Sequence, residues 1–368
     1  MEFNDLIYAC ALNRIFNYNC KGAKKLIDKY GSPTNIFQQS RQTLKEDFNL
    51  SDVYLNKMED KTYFDLALQD IEWANKTNVS IYYIGDYNYP KNLIECCDAP
   101  IILYYKGTAD LNAKRIISIV GTRCATPYGK QKCEEIVKHL SELDPKPIIV
   151  SGLAYGIDIE AHKAALKYGM ETIGAMATGM NQVYPTTHRN YAIKFLTQGG
   201  ILTDFPINTP PIKINFLRRN RIIAGISNAT IVIESKEKGG SMNTATIASS
   251  YNREVFALPG RISDIKSLGC NYLISKNKAQ IIYNPETISQ ELNWQNPNKT
   301  YSDMKSIFDI ENGIKAKILL ALSDYKEKDI DQLVKETKLN ISDLILNLTE
   351  LELDGKIFLN RNKKYTII

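Results

Sequence analysis

The sequence predicts an α/β protein: a mostly parallel sheet with helices on both faces, a helical segment before it and a winged helix after it. Three observations carry that prediction. Between residues 112 and 288, short apolar runs alternate with helix-like stretches. Glycines recur where those runs end, at Gly121, Gly152, Gly179 and Gly239-Gly240. The final stretch, 311–368, reads helix, helix, helix, hairpin. Continuous apolar strands alternating with amphipathic helices mean a sheet covered on both faces.

At 368 residues the chain exceeds one average domain and accommodates two or three. Its 44% hydrophobic and 24% charged residues are ordinary for a folded protein with a sizeable core. A net charge of +5 is mildly basic, which weakly favours a nucleic-acid partner and excludes nothing. Seven cysteines without a CxxC spacing read as free thiols in a reducing cytosol, and three histidines argue against a metal centre. The N-terminus lacks a signal pattern and no apolar run approaches about 18 residues, so a cytoplasmic protein without a membrane segment is expected.

Residues 1–75 read as an N-terminal helical domain of helix-hairpin, SAM-like type. Leu6, Ile7, Ala9, Cys10, Leu12, Ile15 and Phe16 recur at helical spacing, and Ala23, Leu26 and Ile27 continue until Gly31-Ser32-Pro33. A hairpin that grips DNA needs glycines to bring backbone amides to phosphate. Asn17-Tyr18-Asn19-Cys20 supplies none before Gly22, so packing or interaction is the expected role. The core then spans 76–288. It opens with a β adapter, runs 79–84 and 101–105, that adds strands to the main sheet. Strand-like runs follow at 116–120, 148–150, 172–176, 201–203, 230–233 and 255–258, with helices near 128–141, 157–168, 188–198, 216–226 and 242–251. Residues 289–310 are polar and weakly periodic, hence a linker. In 311–368 helical stretches at 314–321, 330–337 and 341–353 precede short strands at 356–359 and 365–368.

In a parallel sheet, ligands sit beyond the carboxyl ends of the strands. The first run is followed by Gly121-Thr122-Arg123, the third by Thr178-Gly179, and the fifth by Glu234 and then Lys238-Gly239-Gly240-Ser241. Glycine at such turns lets backbone N–H groups approach an anion at a helix N-terminus. The densest basic and aromatic cluster is Lys213, Phe216, Arg218, Arg219 and Arg221. Cations neutralise phosphate, and an exposed aromatic face stacks on an unstacked base, worth about 1–3 kcal/mol per base. Duplex bases are closed to such stacking, so the pairing points to a single strand. Arg221 precedes the buried-looking Ile222-Ile223 and reads as an ion-pair partner that holds the fold.

Other chemistries fit less well. The first turn reads GTRCAT, not GxGxxG, and no GxxxxGK[ST] occurs, so neither a dinucleotide cofactor nor a P-loop is expected. Asp158, Asp204 and Glu234 fall at strand ends, where catalytic carboxylates would stand. Among arginines and lysines they read first as charge-balancing partners. Ser151 and His188 lack a GxSxG elbow. The winged helix carries ten basic and ten acidic residues, and its third helix has Asp343, Glu350, Glu352 and Asp354 but no Lys or Arg. Phosphate repulsion opposes groove entry by such a helix, so an accessory or protein-interaction role is expected. Only the wing, with Lys356, Arg361, Lys363 and Lys364, is basic.

Together these segments resemble the DNA-processing protein DprA/Smf family. The matching stretches are IVGTR at 119–123, SGLAYGID at 151–158, TGMNQVYP at 178–185 and FLRRNRIIAGIS at 216–227. VIESKEKGGSMNTA at 232–245, VFALPG at 255–260 and GCNYLI at 269–274 continue them in order. The resemblance implies an extended Rossmann-like core that binds single-stranded DNA, forms a homodimer and helps load the RecA recombinase in natural transformation. It implies no catalytic residues, no cofactor and no metal. Carried over by motif, the DNA pocket comprises Gly121, Thr122, Arg123, Gly179, Lys213, Phe216, Arg218, Arg219, Lys238, Gly239, Gly240 and Ser241. The alternative is a nucleotide-processing enzyme akin to phosphoribohydrolases, whose PGGxGTxxE loop reads KGGSMNTA here without the threonine and glutamate in register.

Overall fold

The apolar runs of the core form one sheet in a computed structural model that describes residues 3–16, 20–294, 314–322, 327–360 and 363–367. The turn at 17–19, residues 295–310 of the expected linker and Arg361 of the wing lie outside the described residues. The strands are β1 (Ser80–Tyr83), β2 (Ile102–Gly107), β3 (Ile116–Val120), β4 (Ile148–Ser151), β5 (Thr172–Ala175), β6 (Gly199–Thr203), β7 (Ala229–Val232), β8 (Glu254–Ala257) and β9 (Gln280–Ile281). Their spatial order is β1-β2-β6-β5-β4-β3-β7-β8-β9. β3 to β9 run parallel, while β2 pairs antiparallel with both β1 and β6. The segment at 79–105 is thus the adapter that its β-rich runs predicted. The two-residue β9 was not among the expected strands.

Helices α1 (Phe3–Ile15), α2 (Cys20–Tyr30), α3 (Pro33–Phe37), α4 (Arg41–Phe48), α5 (Asp52–Glu59) and α6 (Thr62–Thr77) precede the sheet. Within and after it come α7 (Lys91–Ile94), α8 (Pro127–Ser141), α9 (Ile157–Lys167), α10 (Arg189–Phe195), α11 (Lys213–Ile226), α12 (Gly240–Ser250), α13 (Leu268–Ser275) and α14 (Glu286–Glu291). Successive strand residues point to opposite faces, which decides where each helix packs. Ile117 and Ile119 of β3 join Ile136, Val137 and Leu140 of α8 and Ala161 and Ala165 of α9. Ile116 and Val120 face the other way, toward Ile222 and Ile223 of α11 and Ala245 and Ala248 of α12. Ser118, between them, satisfies its hydroxyl by donating to Thr230 Oγ1 at 2.8 Å.

The N-terminal helices pack on one another and on the sheet. Leu12, Ile15 and Phe16 of α1 and Ile71 and Ala74 of α6 belong to the same apolar core as β3 and α11. Arg14 donates twice to the Asp70 carboxylate, at 2.6 and 2.7 Å, and Asp70 accepts from the Ile207 amide at 3.1 Å. Met1–Trp294 forms one unit. Ser289 and Trp294 are buried in the core, and the Arg115 guanidinium sits 5.7 Å from the Trp294 ring, so the first unit runs to 294.

The second unit, Gln295–Ile368, has its own apolar core. Helices Ile314–Leu322, Ile330–Thr337 and Ile341–Leu353 supply Leu319, Leu322, Leu333, Leu344, Leu348 and Leu351. β10 (Ile357–Leu359) and β11 (Tyr365–Ile367) pair antiparallel, and Lys328 bridges to Tyr365 as a further short strand. This is a winged helix. Lys315 lies 3.0 Å from Glu350 and 3.7 Å from Asp354, so part of the third helix's acidity is neutralised within the unit.

Two buried polar groups set stability. Arg221 pairs with the Asp204 carboxylate, donates to the Asp98 carbonyl at 2.7 Å and reaches Cys20 Sγ at 3.3 Å. It ties α11 to the β6 exit, the segment after α7 and the start of α2. Arg221→Ala leaves Asp204 buried and unpaired, and urea unfolding is expected to register a loss of about 3–5 kcal/mol. His162 is fully buried on α9, its Nδ1 2.7 Å from Thr172 Oγ1. Burial pulls its pKa down to about 3, far below the about 6.5 of an exposed imidazole. Below pH about 6.5 the unfolded chain therefore takes up a proton that the folded chain refuses. Stability should fall by up to about 1.4 kcal/mol per pH unit as pH drops toward 3. Urea midpoints measured stepwise in pH, with His162→Gln as the control that lacks this slope, check it.

Candidate nucleic-acid interface

Chain order dictates where a ligand fits. From β3 the chain builds β4, β5 and β6 on one side, then returns to place β7, β8 and β9 on the other. The loop after β3 leads to α8 on one face of the sheet, and the loop after β7 leads to α12 on the opposite face. Diverging loops leave a crevice at the strand carboxyl ends. Here it is a cleft of about 630 Å³, floored by β3, walled by α11 and closed by the turn before α12.

Three segments supply most of its lining. Gly121, Thr122 and Arg123 come from the β3 exit, Lys213, Phe216, Leu217, Asn220 and Ile223 from α11, and Ser235, Lys236, Lys238, Gly239, Gly240 and Ser241 from the β7 exit. On α11 the lining residues follow i, i+3, i+4 and i+7 spacing, the signature of one helical face. The Arg123 guanidinium lies 5.3 Å from the centroid of the Phe216 ring, and Tyr184 meets the same ring edge-on at 5.5 Å. Lys213, Arg123, Lys236 and Lys238 are exposed. The cleft thus presents four solvent-facing cations around a partly exposed aromatic.

The loops beneath are locked by backbone. Thr122 N–H donates to the Glu234 carbonyl at 2.7 Å, and Ile157 N–H donates to the Thr122 carbonyl at 3.2 Å. Gly156, at φ 78°, passes so close that a Cβ would lie 2.1 Å from the Thr122 oxygen. Gly121 is equally a packing residue, since a Cβ there would meet Ile157 at 2.5 Å. Gly240 is different: a Cβ would meet nothing, and its N–H is among the first of α12, without a preceding helical carbonyl. Gly239 N–H already donates to the Lys236 carbonyl at 3.1 Å, and Ser241 Oγ donates to Ser235 Oγ at 2.9 Å.

Three expected site residues take other positions. Arg219 reaches the cleft floor only as a buried group, 3% exposed, with its guanidinium donating to the Gly152 and Ala175 carbonyls. Burial lowers its pKa to about 10, and it braces two strand ends instead of facing solvent. Arg218 lies one residue along the helix, outside the cleft lining, on the side toward Asp204 and Cys20. Gly179 belongs to a turn packed on the 206–209 segment, where its N–H donates to the Thr209 carbonyl at 3.1 Å. In each case neighbouring residues share a sequence cluster but not a direction. Lys236, Tyr184, Asn220 and Asn243 line the cleft without having been singled out. Helical spacing from Lys213 and Phe216 points to Asn220; Tyr184 lies in the TGMNQVYP stretch, but its contact with Phe216 is tertiary.

The candidate catalytic groups are engaged elsewhere. Glu234 accepts from the Thr126 amide at 2.9 Å and from its hydroxyl at 2.5 Å, capping the approach to α8. Asp158 accepts from the Gly152 amide at 3.2 Å, and burial raises its pKa against the opposing charge of Arg219. Asp204 pairs with Arg221. Ser151 Oγ donates to the Ile119 carbonyl at 2.5 Å, and His188 Nδ1 to the Leu153 carbonyl at 2.7 Å. Among the described residues no cluster of three or more His, Cys, Asp or Glu side chains is arranged to hold a metal, and no helix is long and apolar enough to cross a membrane.

Comparison with known proteins gives the family. The family model described as DNA recombination-mediator protein A matches residues 80–293, and the DprA winged helix domain matches 311–358. The DNA processing protein DprA of Streptococcus pneumoniae is 35% identical over 209 residues, covering 57% of this chain and 73% of the relative. The X-ray structure of DprA from S. pneumoniae superposes with a TM-score of 0.67 at 29% identity, over 77% of this chain and 97% of that one. A Helicobacter pylori DprA structure, described for its single-stranded DNA binding mode, gives 0.53 at 32% identity over 59% and 97%. With a family model spanning more than half of its length and relatives of the same family across sequence and structure, the chain belongs to the DNA recombination-mediator protein A family, with a DprA-type winged helix.

Proposed function

We propose that this chain is a non-enzymatic mediator that binds single-stranded DNA in the β3–β7 cleft and delivers it to a RecA recombinase during DNA uptake. It acts in the cytoplasm as a homodimer. The observation that carries the reading is the pairing of an accessible aromatic with exposed cations beside the Gly240 amide at the start of α12. Lys213, Lys236 and Lys238 neutralise phosphates, Gly240 N–H donates to one, and Phe216 stacks on a base. Arg123 has two roles: it contacts phosphate, and it occupies the Phe216 face until a base displaces it. The H. pylori relative's single-stranded DNA binding mode supports the ligand, and the family's recombination-mediator description supports the delivery step. The unpaired edge of β9, with exposed Ile281 and Tyr283, supports association with a second copy.

A nucleotide-processing reading has less behind it. A general base needs a carboxylate free to take a proton, and Glu234 is held by Thr126. Incubation with nucleoside monophosphates should release no free base above background. Sustained turnover that Glu234→Gln abolishes would overturn the non-enzymatic reading.

Binding should be nearly blind to sequence and strongly salt-dependent, because phosphate contacts dominate. Lys213→Ala is expected to weaken oligothymidylate binding and to reduce the salt slope by about 0.7. Phe216→Ala should cost about 1–3 kcal/mol with the slope unchanged. Fluorescence titrations across salt concentration separate the two effects. Unchanged affinity in Arg123→Ala and Lys213→Ala together, at fixed salt, would sink the site.

A further inference from the structure

A second cleft, of about 790 Å³, lies on the other side of the β7 exit. Its walls are Tyr128 at the start of α8, Glu234, and the segment 260–267 that joins β8 to α13, including Arg261, Asp264 and Lys266. The two clefts share one partition. Residues 234–236 run between them: Ser235 and Lys236 line the first cleft, Glu234 lines the second, and Ser235 N–H donates to the Lys266 carbonyl at 2.6 Å. Both open at the carboxyl ends of adjacent parallel strands, β3–β7 and β7–β8.

The second cleft repeats the chemistry of the first. Tyr128 is 48% exposed, with the Lys132 ammonium 6.0 Å from its ring. Arg261 is exposed and Lys266 half-buried, so a stacking face stands beside two cations. Two carboxylates oppose them. Glu234 is saturated by the Thr126 amide and hydroxyl, which leaves Asp264 as the open acidic group. The segment itself is anchored at both ends and exposed in the middle. Gly260 exchanges two hydrogen bonds with the Asn271 side chain, at 3.1 and 2.9 Å, while 261–265 are all exposed. An exposed, anchored loop carrying a cation next to an accessible aromatic is a surface for a flexible polyanion with flat bases.

We propose that the single strand bound in the β3–β7 cleft crosses the 234–236 partition and continues into this second cleft, with one base on Tyr128 and phosphate on Arg261 and Lys266. The inference rests on the function proposed above and deepens it, because it gives the strand a direction and a longer footprint. A short strand fills the first cleft alone; a longer one engages both.

The experiment titrates full-length protein with oligothymidylates of about 4 and about 16 nucleotides, the range one such site spans. Tyr128→Ala and Arg261→Ala are each expected to weaken the longer oligonucleotide roughly tenfold and leave the shorter one unchanged. Arg261→Ala also reduces the salt slope for the longer strand by about 0.7, and Tyr128→Phe binds like the unsubstituted protein. Lys213→Ala weakens both lengths and reports on the first cleft independently. If Lys213→Ala weakens both lengths while Tyr128→Ala and Arg261→Ala weaken neither, the extended path is wrong and the first cleft stands. If the second-cleft variants lose binding while Lys213→Ala does not, the path is overturned together with the first-cleft reading. Binding of a basic or apolar peptide at Tyr128 that long oligothymidylate fails to displace would assign this surface to a protein partner and overturn the inference.

Discussion

The reversal of strand order around β3 is the constraint on which the rest of this structure depends. A parallel strand needs a crossover to its neighbour, and two crossovers leaving adjacent strands for opposite faces cannot fill the space between their first turns. In this chain those strands are β3 and β7, and the turns are Gly121-Thr122-Arg123 and the segment from Ser235 to Ser241. The crevice therefore exists for reasons of topology. Side chains decide only what it accepts.

Charge is distributed in two layers around that crevice. The buried layer is compensated: Arg219 is bound to the Gly152 and Ala175 carbonyls beside Asp158, Arg221 to Asp204 and Asp98, and Glu234 to Thr126. These groups hold the strand ends and helix starts in register, and removing one partner strands the other away from water. The outer layer is cationic and solvated, with Arg123, Lys213, Lys236 and Lys238 on flexible stems. Each buried carboxylate of the inner layer already serves as a structural acceptor.

The N-terminal helices belong to the first unit, and the winged helix forms the second. Helices α1 and α6 bury Leu12, Phe16 and Ile71 in the core of the sheet, and Arg14–Asp70 ties them to the β6 exit at Ile207. They are part of the same unit as the sheet. The winged helix has a closed core of its own, and its third helix has no Lys or Arg, Lys315 neutralising only part of the acidity at Glu350 and Asp354. Groove entry by that helix has no electrostatic drive.

Much of this was legible in the sequence for physical reasons. Continuous apolar runs, helical spacing and glycine at turns are local signals, so the parallel sheet, its helices, the winged helix and the aromatic–cation cluster could all be read directly. Arg221 was readable too, because a charge followed by two isoleucines in a helix must be buried and must be paired. Direction was not legible. Arg218 and Arg219 are neighbours in the chain but a third of a helical turn apart, so one turns toward Asp204 and the other under the strand ends, and neither joins Lys213 at the rim. Gly179 follows a strand like Gly121 does, yet the 206–209 segment folds over it. Tyr184 reaches Phe216 from a distant loop. Sequence by itself determined the layers and the strand exits, because these follow from periodicity and residue chemistry. Only the tertiary structure decided which cations face solvent, because that depends on long-range packing against elements the local pattern does not contain.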